Sequence, residues 1–201
     1  MQKREASTMI RIAARADIPA ILDIYAPYIL NTTATFEYTV PSLEEFTARF
    51  ENVTSQFPWL VWEENGTVLG YAYGSAPFER AAYRWCAEVS IYIAPHAKGQ
   101  GIGRKLYAAL EQILWLQGYR VIYAIITEEN AASVAFHEKL GYRFTAALPH
   151  CGIKFGRSLG VIWMEKRSNS VEIPSKMPLS WLCIVENDRK LSNILATLSL
   201  S

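Results

Sequence analysis

The chain has 201 residues, of which 51% are apolar and 19% are charged, and its formal net charge is +1. This composition excludes a disordered or low-complexity chain and fits one globular domain with a sizeable core. The balance of 20 basic against 19 acidic residues gives no general attraction to nucleic acid or to an acidic membrane.

The sequence carries no sign of a membrane span, a leader or a cysteine-based site. No apolar run approaches the roughly 18 residues that a span needs, and the N-terminus lacks the apolar stretch of a signal peptide. The three cysteines, Cys86, Cys151 and Cys183, are widely spaced and odd in number. We therefore expect neither a disulfide framework nor a metal site, and a reduced, cytoplasmic protein.

Apolar periodicity predicts a mixed α/β layer fold in the order β-α-α-β-β-β-α-β-α-β-β. The predicted strands cover residues 9–14, 59–64, 67–76, 85–94, 121–127, 142–149 and 158–166. The first predicted helix follows Asp17 and loses its pattern around residues 31–33. The second covers residues 42–52, the third runs from Ile102 toward Gly118, and the fourth covers residues 130–140.

Local signals mark several ends of these elements. Asp17 is a predicted helix N-cap, and Ser42 with Glu45 has the spacing of a capping box. Asn65-Gly66 between two β-rich runs predicts a hairpin, and Gly118 is expected to close the third helix.

The domain is predicted to span residues 1–168, with residues 169–201 as a C-terminal extension of different composition. Met9 is an alternative start to Met1. The extension has a polar beginning and an apolar-polar end, so it is either a short helix docked on the domain or on a partner, or disordered.

The segment KGQGIG at residues 98–103 is the first candidate for chemistry. It lies between a predicted strand and a predicted helix, where glycines let backbone N–H groups approach an anion closely. The spacing fits neither a P-loop nor the GxGxxG pattern. The alternative is a glycine-rich turn that only begins a helix.

Glu88 is the second candidate, because a carboxylate in the middle of a strand is costly to bury. Alternation places Cys86, Glu88, Ser90 and Tyr92 on one polar face that is suited to line a cleft. The alternative is an edge strand with a solvated glutamate.

The helix beginning at Asn130 is the third candidate. Asn130 is placed to cap it, and Ser133 and His137 share one face. A single histidine on such a helix is more often a packing residue than a catalyst.

Two stretches together resemble the GNAT-type N-acetyltransferases: SIYIAPHAKGQGIGRKLYAAL, and NAASVAFHEKLGYRF some thirty residues later. The first matches that family's [QR]-x-x-G-x-[GA] motif from Lys98 to Gly103, with Lys in place of Gln or Arg. The second has His137 where many members have Tyr. The segments IYAPYILNTTATFEY, AAYRWCAEVSIYIAP and LPHCGIKFGRSLGVIWME resemble the phosphinothricin and methionine sulfone N-acetyltransferase branch.

The resemblance implies a GNAT fold, in which a mostly antiparallel sheet splays open and is flanked by helices, with acetyl-CoA as co-substrate and no metal. The gap in the sheet would admit the pantetheine arm along the backbone of β-strand residues, and the glycine segment would hold the pyrophosphate. The implied cofactor-binding residues are Ile91, Tyr92, Ile93, Gly99, Gln100, Gly101, Ile102, Gly103, Arg104 and Asn130.

The implied chemistry is direct acetyl transfer from the thioester to an amine. Glu88 would be the general base, its pKa raised by partial burial against Trp85 and Tyr92. His137 would be a general acid for the leaving thiolate, and a backbone N–H near Ile91 would stabilise the oxyanion.

The implied acceptor is a small amino acid or analogue, such as phosphinothricin, methionine sulfone or methionine sulfoximine. Arg80 would bind its carboxylate, and Phe36, Tyr83 and Tyr92 would form the walls of the site. Phe78 departs from branch members, which have a basic or large polar residue nearby.

Two other functions stay open at this point: acetylation of a protein N-terminus or a polyamine, and a non-catalytic acyl-CoA-binding module. The resemblance implies a homodimer, to which Phe155 and Trp163 would contribute. Neither a nucleic-acid nor a membrane partner is expected.

Overall fold

The structure is a computed structural model that describes residues 8–170, 173–186 and 189–200. Its strands are β1 (Thr8–Ile12), β2 (Trp59–Glu64), β3 (Thr67–Ser75), β4 (Cys86–Ile93), β5 (Val121–Thr127), β6 (Arg143–Lys154) and β7 (Arg157–Arg167). Its helices are α1 (Ile18–Asn31), α2 (Leu43–Thr54), α3 (Ile102–Gln117), α4 (Ala131–Lys139), α5 (Trp181–Glu186) and α6 (Arg189–Leu200). The predicted order of strands and helices over the domain is confirmed.

The described strands form one sheet in the order β1-β2-β3-β4-β5-β7-β6. All neighbours in this sheet are antiparallel except β4 and β5, which run parallel. The parallel pairing extends only from Cys86–Val121 to Glu88–Tyr123, whereas β4 stays paired with β3 as far as Ile93. The sheet therefore splays open beyond Glu88.

Local sequence signals act where they were predicted. Asn65 and Gly66 both have positive φ, 51° and 81°, as a tight hairpin between twisted strands requires. Ser42 caps α2 and exchanges both hydrogen bonds of the capping box with Glu45. Gly118 ends α3 with φ 99°.

Two local predictions need correction. Asp17 stands at the N-cap position of α1 but makes no side-chain cap; its carboxylate instead accepts from Arg11 and from the backbone N–H of Ala14. The sixth strand, predicted to end at residue 149, continues to Lys154. The pairing with β7 is irregular between Leu148 and Gly152 and resumes at Gly152. This stretch is mostly exposed and lacks the alternation of apolar and polar residues that predicts a strand.

The sheet carries an apolar layer on each face. Aromatic side chains fill the layer beneath α1 and α2, where Trp59 lies 4.1 Å from Tyr73 and 6.0 Å from Phe46 between ring centroids. The buried apolar stripe of α3 packs against β2, β3 and β4 on the other side, with Leu106 and Leu110 fully buried. Because α3 is held firmly, the loop at its N-terminus has a fixed base.

The C-terminal extension forms α5 and α6, and both pack on the domain. Trp181 and Leu191 are 3% and 2% exposed. Helix α6 contacts β1 and α3, and the Ser199 hydroxyl accepts a 2.8 Å hydrogen bond from the N–H of Ile10. The sequence left three possibilities open, and in the described residues the extension is helical and lies on the domain. Residues 1–7 lie outside the described part of the chain. They include Met1, one of the two predicted starts, and the first residues of the predicted domain.

Within the described residues, no helix has both the length and the apolar character that crossing a membrane requires.

Gln117, at the end of α3, joins three parts of the chain. It is 1% exposed, and its side-chain amide donates at 2.9 Å to the carbonyl of Gln56 and at 2.9 Å to that of Leu179. We predict that Gln117→Ala lowers the free energy of unfolding by about 2 kcal/mol, because the carbonyls of Gln56 and Leu179 lose a buried donor. Urea denaturation measures this, with the exposed Gln112→Ala of the same helix as control. Equal losses in the two variants would contradict it.

Candidate active site

The opening between β4 and β5 contains a cavity of about 540 Å³. Its walls are the diverging ends of the two strands, residues 89–93 and 124–127, and the beginning of α3. Tyr107 of α3 and Asn130, Phe136 and His137 at α4 complete it. The cavity therefore runs from the centre of the sheet to the glycine segment.

The glycine segment forms an open loop at one end of the cavity. Gly99 and Gly101 have φ of 79° and 80°, which favours glycine, and no atom would lie within 4 Å of an added Cβ at either position. Gly101 is the N-cap of α3, so the first N–H groups of this 16-residue helix lack intrahelical acceptors. Their partial positive charge suits an anion.

Most of the predicted cofactor residues line the cavity. Ile91, Tyr92, Ile93, Gly99, Gly101, Ile102, Gly103, Arg104 and Asn130 do so. Gln100 does not appear among the lining residues, and its amide donates to the carbonyl of His96. Asn130 caps α4 by accepting from the N–H of Ser133 at 3.2 Å, which fixes that side chain at the cavity wall.

The backbone of β4 faces the gap through Ile91 and Ile93, but only Ile91 is available there. The hydroxyl of Tyr28 donates to the carbonyl of Ile93 at 2.6 Å and accepts from its N–H at 3.3 Å. In an antiparallel ladder every second residue points the same way, so Ile91 also turns its N–H and carbonyl toward the gap. In this structure the hydroxyl of Tyr28 therefore occupies the backbone groups of Ile93, and those of Ile91 face the gap.

Glu88 lies in the last residue pair before β4 and β5 separate, with Tyr123 as its partner on β5. Burial raises its pKa from 4.5 to about 7. No hydrogen bond or ion pair to Glu88 is found within the described part of the chain. Trp85, expected to shield it, instead donates its indole N–H to Lys176 in the extension. A mostly buried carboxylate without a partner is suited to accept a proton near neutral pH.

His137 is 3% exposed and both of its ring nitrogens are engaged. Nδ1 lies 2.7 Å from the carbonyl oxygen of Ser133, which can only accept, so Nδ1 carries the proton. Nε2 then accepts from the hydroxyl of Tyr107 at 3.2 Å. Burial lowers the pKa of His137 below 6.5, so the ring is neutral at pH 7.

The four predicted acceptor-binding residues lie in three places. Tyr92 lines the cavity and packs against Tyr25 and Tyr28. Arg80 and Tyr83 lie on the exposed loop between β3 and β4. The ring of Phe36 fills the space above Gly152 of β6, where an added Cβ would come within 2.2 Å of it. None of these last three side chains lines the described cavity.

Sequence reasoning missed two tyrosines of the site. Tyr28 satisfies the backbone of Ile93, and the Lys98 ammonium lies 4.7 Å from the centre of its ring. Tyr107 holds His137 from α3. Both tyrosines lie on apolar helix faces, so the sequence pattern predicts that they are core residues. Their only distinguishing feature in the sequence is a hydroxyl group at positions where an aliphatic side chain would fill the core equally well.

Comparison with known proteins gives one consistent family. The family described as "Acetyltransferase (GNAT) domain" matches residues 10–163. Phosphinothricin N-acetyltransferase of Alcaligenes faecalis is 38% identical over 165 residues, covering 80% of this chain and 83% of that protein. L-methionine sulfoximine/L-methionine sulfone acetyltransferase of Salmonella typhimurium is 37% identical, covering 78% of this chain and 92% of that protein.

A solved structure of this kind also matches. A GNAT superfamily phosphinothricin acetyltransferase from Sinorhizobium meliloti, in complex with acetyl-CoA, superposes with a TM-score of 0.79 at 35% identity. The match covers 86% of this chain and 95% of that one. The predicted fold is thereby confirmed.

The raised pKa of Glu88 predicts a pH-dependent cost to stability. Since the folded state keeps this proton up to about pH 7 and the unfolded chain only to about 4.5, the free energy of unfolding falls as pH rises between these values. We predict that Glu88→Gln, which mimics the protonated form, gains up to about 3 kcal/mol over the native chain between pH 4 and pH 8. Urea denaturation at both pH values measures this, with Glu64→Gln as control. A gain that does not change with pH would contradict it.

Proposed function

The chain belongs to the GNAT acetyltransferase family, and from this premise we propose that it transfers an acetyl group from acetyl-CoA to the α-amino group of a small amino acid or analogue. The observation that carries the proposal is the cavity in the splayed sheet, with an anion-binding loop at one end and Glu88 at the point of divergence. The names of the two curated relatives support the acceptor class.

The residues present fit acetyl-CoA as co-substrate. The N–H groups at the start of α3 would receive the pyrophosphate, and the open space above Gly99 and Gly101 leaves room for it. The backbone carbonyl of Ile91 would accept from an amide of the pantetheine arm in the manner of an added strand, which leaves its N–H for the oxyanion. Asn130, fixed as the cap of α4, would contact the same arm.

Glu88 would act as the general base. At pH 7 the acceptor amine is largely protonated and must lose a proton before its lone pair attacks the thioester carbonyl carbon. A carboxylate with a pKa of about 7 can take this proton directly or through a water. The tetrahedral intermediate would then lose the CoA thiolate as the C–S bond breaks, the second proton of the attacking nitrogen would pass to that thiolate, and the N–H of Ile91 would support the oxyanion.

Direct transfer is favoured over an acetyl-cysteine intermediate. Cys86 lies on the same face of β4 as Glu88, two residues away. Burial raises the pKa of the Cys86 thiol, which lowers the fraction of reactive thiolate.

Arg80 would bind the carboxylate of the acceptor. Its guanidinium is exposed, and within the described residues it has no ion-pair partner. Its backbone carbonyl accepts from the N–H of Tyr83 in the short turn that follows, so the base of the side chain is held while its end stays available.

His137 would support the site through Tyr107 rather than give a proton to the thiolate itself. Its Nδ1–H is bonded to Ser133 and its Nε2 accepts from Tyr107, so the neutral ring has no free N–H. The role of general acid that the resemblance implies would need a different tautomer or a broken hydrogen bond. The homodimer and the cytoplasmic location stay predictions.

The first experiment is acetyl-CoA-dependent thiol release with phosphinothricin, methionine sulfone, common amino acids, spermidine and an N-terminal peptide. We predict turnover with amino acids or their analogues, with kcat/KM rising through about pH 7. Loss of a general base in Glu88→Gln should lower kcat by about a hundredfold or more and remove that rise. Glu64→Gln is the matched control.

Other results would favour another function. Release with the peptide or spermidine alone would favour a protein or polyamine acetyltransferase. Binding of acetyl-CoA without turnover on any acceptor would favour a non-catalytic module.

His137→Phe tests the role of the imidazole. Since the geometry gives His137 a supporting role, we predict that this variant keeps kcat within about threefold of the native value. It should also lose about 1–3 kcal/mol of stability, because the buried hydroxyl of Tyr107 is left without a partner. Steady-state kinetics and urea denaturation measure the two effects. A hundredfold loss of kcat in folded protein would instead identify His137 as the acid.

A further inference from the structure

Four aromatic side chains form a cluster where the loop between β3 and β4 crosses the sheet. We call Phe78, Tyr83, Tyr123 and Trp163 the aromatic wall. The ring of Phe78 stacks on Trp163, with centroids 5.6 Å apart and planes within 14°. It also lies 4.6 Å from Tyr83 and 6.1 Å from Tyr123. The loop is thus held to the sheet by ring contacts.

The aromatic wall adjoins Glu88. Tyr123 is the partner of Glu88 in the parallel β4–β5 pairing, and partners in register turn their side chains to the same face. On its other side Glu88 pairs with Ser75, the last residue of β3, from which the loop departs. Phe78 follows three residues later. The loop therefore leaves the sheet beside the proposed base and contacts the sheet again at Tyr123 and Trp163.

The wall presents ring surface to solvent. Phe78 is 38% exposed and Tyr83 is 45% exposed. Large aromatic surfaces of this kind beside a reactive group are typical of a binding site, because burying them against a ligand releases water. Stacked and edge-on rings also favour a further flat ring over a compact polar group.

Of the charges near the wall, Arg167 is paired, whereas Arg80 and Arg84 have no ion-pair partner among the described residues, and Arg84 donates to the sulfur of Met177. Arg167, whose charge reaches Tyr123, donates to Glu165 at 2.7 Å. Arg80 is two residues after Phe78 and is assigned above to the carboxylate of the acceptor. The far end of an acceptor would meet the ring faces of Phe78 and Trp163, which bind a flat apolar group better than a compact anion.

Resting on the proposed function, we propose that the aromatic wall binds the side chain of the acceptor. With the α-amino group at Glu88 and the carboxylate at Arg80, that side chain would lie against Phe78 and Trp163. The preferred acceptors are then free amino acids with a flat, uncharged side chain, such as phenylalanine or tryptophan. Phosphinothricin, with its anionic phosphinate, is a poorer acceptor.

The test compares kcat/KM for phenylalanine, tryptophan, leucine, methionine sulfone and phosphinothricin. The native chain is expected to prefer the two aromatic amino acids. Phe78→Ala should lower kcat/KM for phenylalanine by about tenfold while changing that for methionine sulfone much less. Phe78→Arg should raise the ratio of phosphinothricin to phenylalanine, because it supplies a cation. Phe144→Ala, which truncates a 65% exposed phenylalanine on β6, is the matched control. Thermal unfolding verifies that each variant is folded.

The outcomes separate this inference from the proposed function. Efficient acetylation of methionine sulfone or phosphinothricin, with the aromatic amino acids poor, overturns the inference and leaves the proposed function standing. A preference for phenylalanine that Phe78→Ala does not reduce also overturns it, since the wall would not be the cause. No acetylation of any free amino acid overturns both.

Discussion

The site depends on the early separation of two parallel strands. β4 and β5 share three residue pairs and then diverge, although each continues for several residues with its other neighbour. An unpaired strand edge inside a protein leaves backbone groups that need partners. Tyr28 supplies them for Ile93, whereas Ile91 keeps its N–H and carbonyl directed into the gap. The opening is thus built into the backbone, and a ligand that offers amide groups can complete the ladder.

The same divergence explains the environment of Glu88. Its position in the last closed pair gives it neighbours on both sides, which exclude water and raise its pKa to about 7. One residue further along β4 the cavity begins, so a group bound there can reach the carboxylate. The position of Glu88 in the sheet therefore sets both its access to a bound group and its pKa.

Sequence reasoning succeeded mainly where the signal is local, although Asp17 does not cap α1 with its side chain. Asn65-Gly66, the Ser42–Glu45 box, the glycine segment and Asn130 each act within a few residues of chain, and each takes its predicted place. It failed where a contact joins distant segments. Tyr28 and Ile93 are 65 residues apart, and Tyr107 and His137 are 30 residues apart. No pattern along the chain marks such a pair, and this is also why the protonation state of His137 needed the structure.

The contact between Ser199 and Ile10 has a consequence for how the sheet meets other chains. β1 is a terminal strand, and the outward N–H groups of such a strand can template the addition of a foreign strand. Here α6 lies against β1, and the hydroxyl of Ser199 accepts a hydrogen bond from one of those donors, the N–H of Ile10. The protecting helix lies beyond the residues that match the family, 10–163. This end of the sheet is therefore covered by a segment of the chain that lies outside the family match.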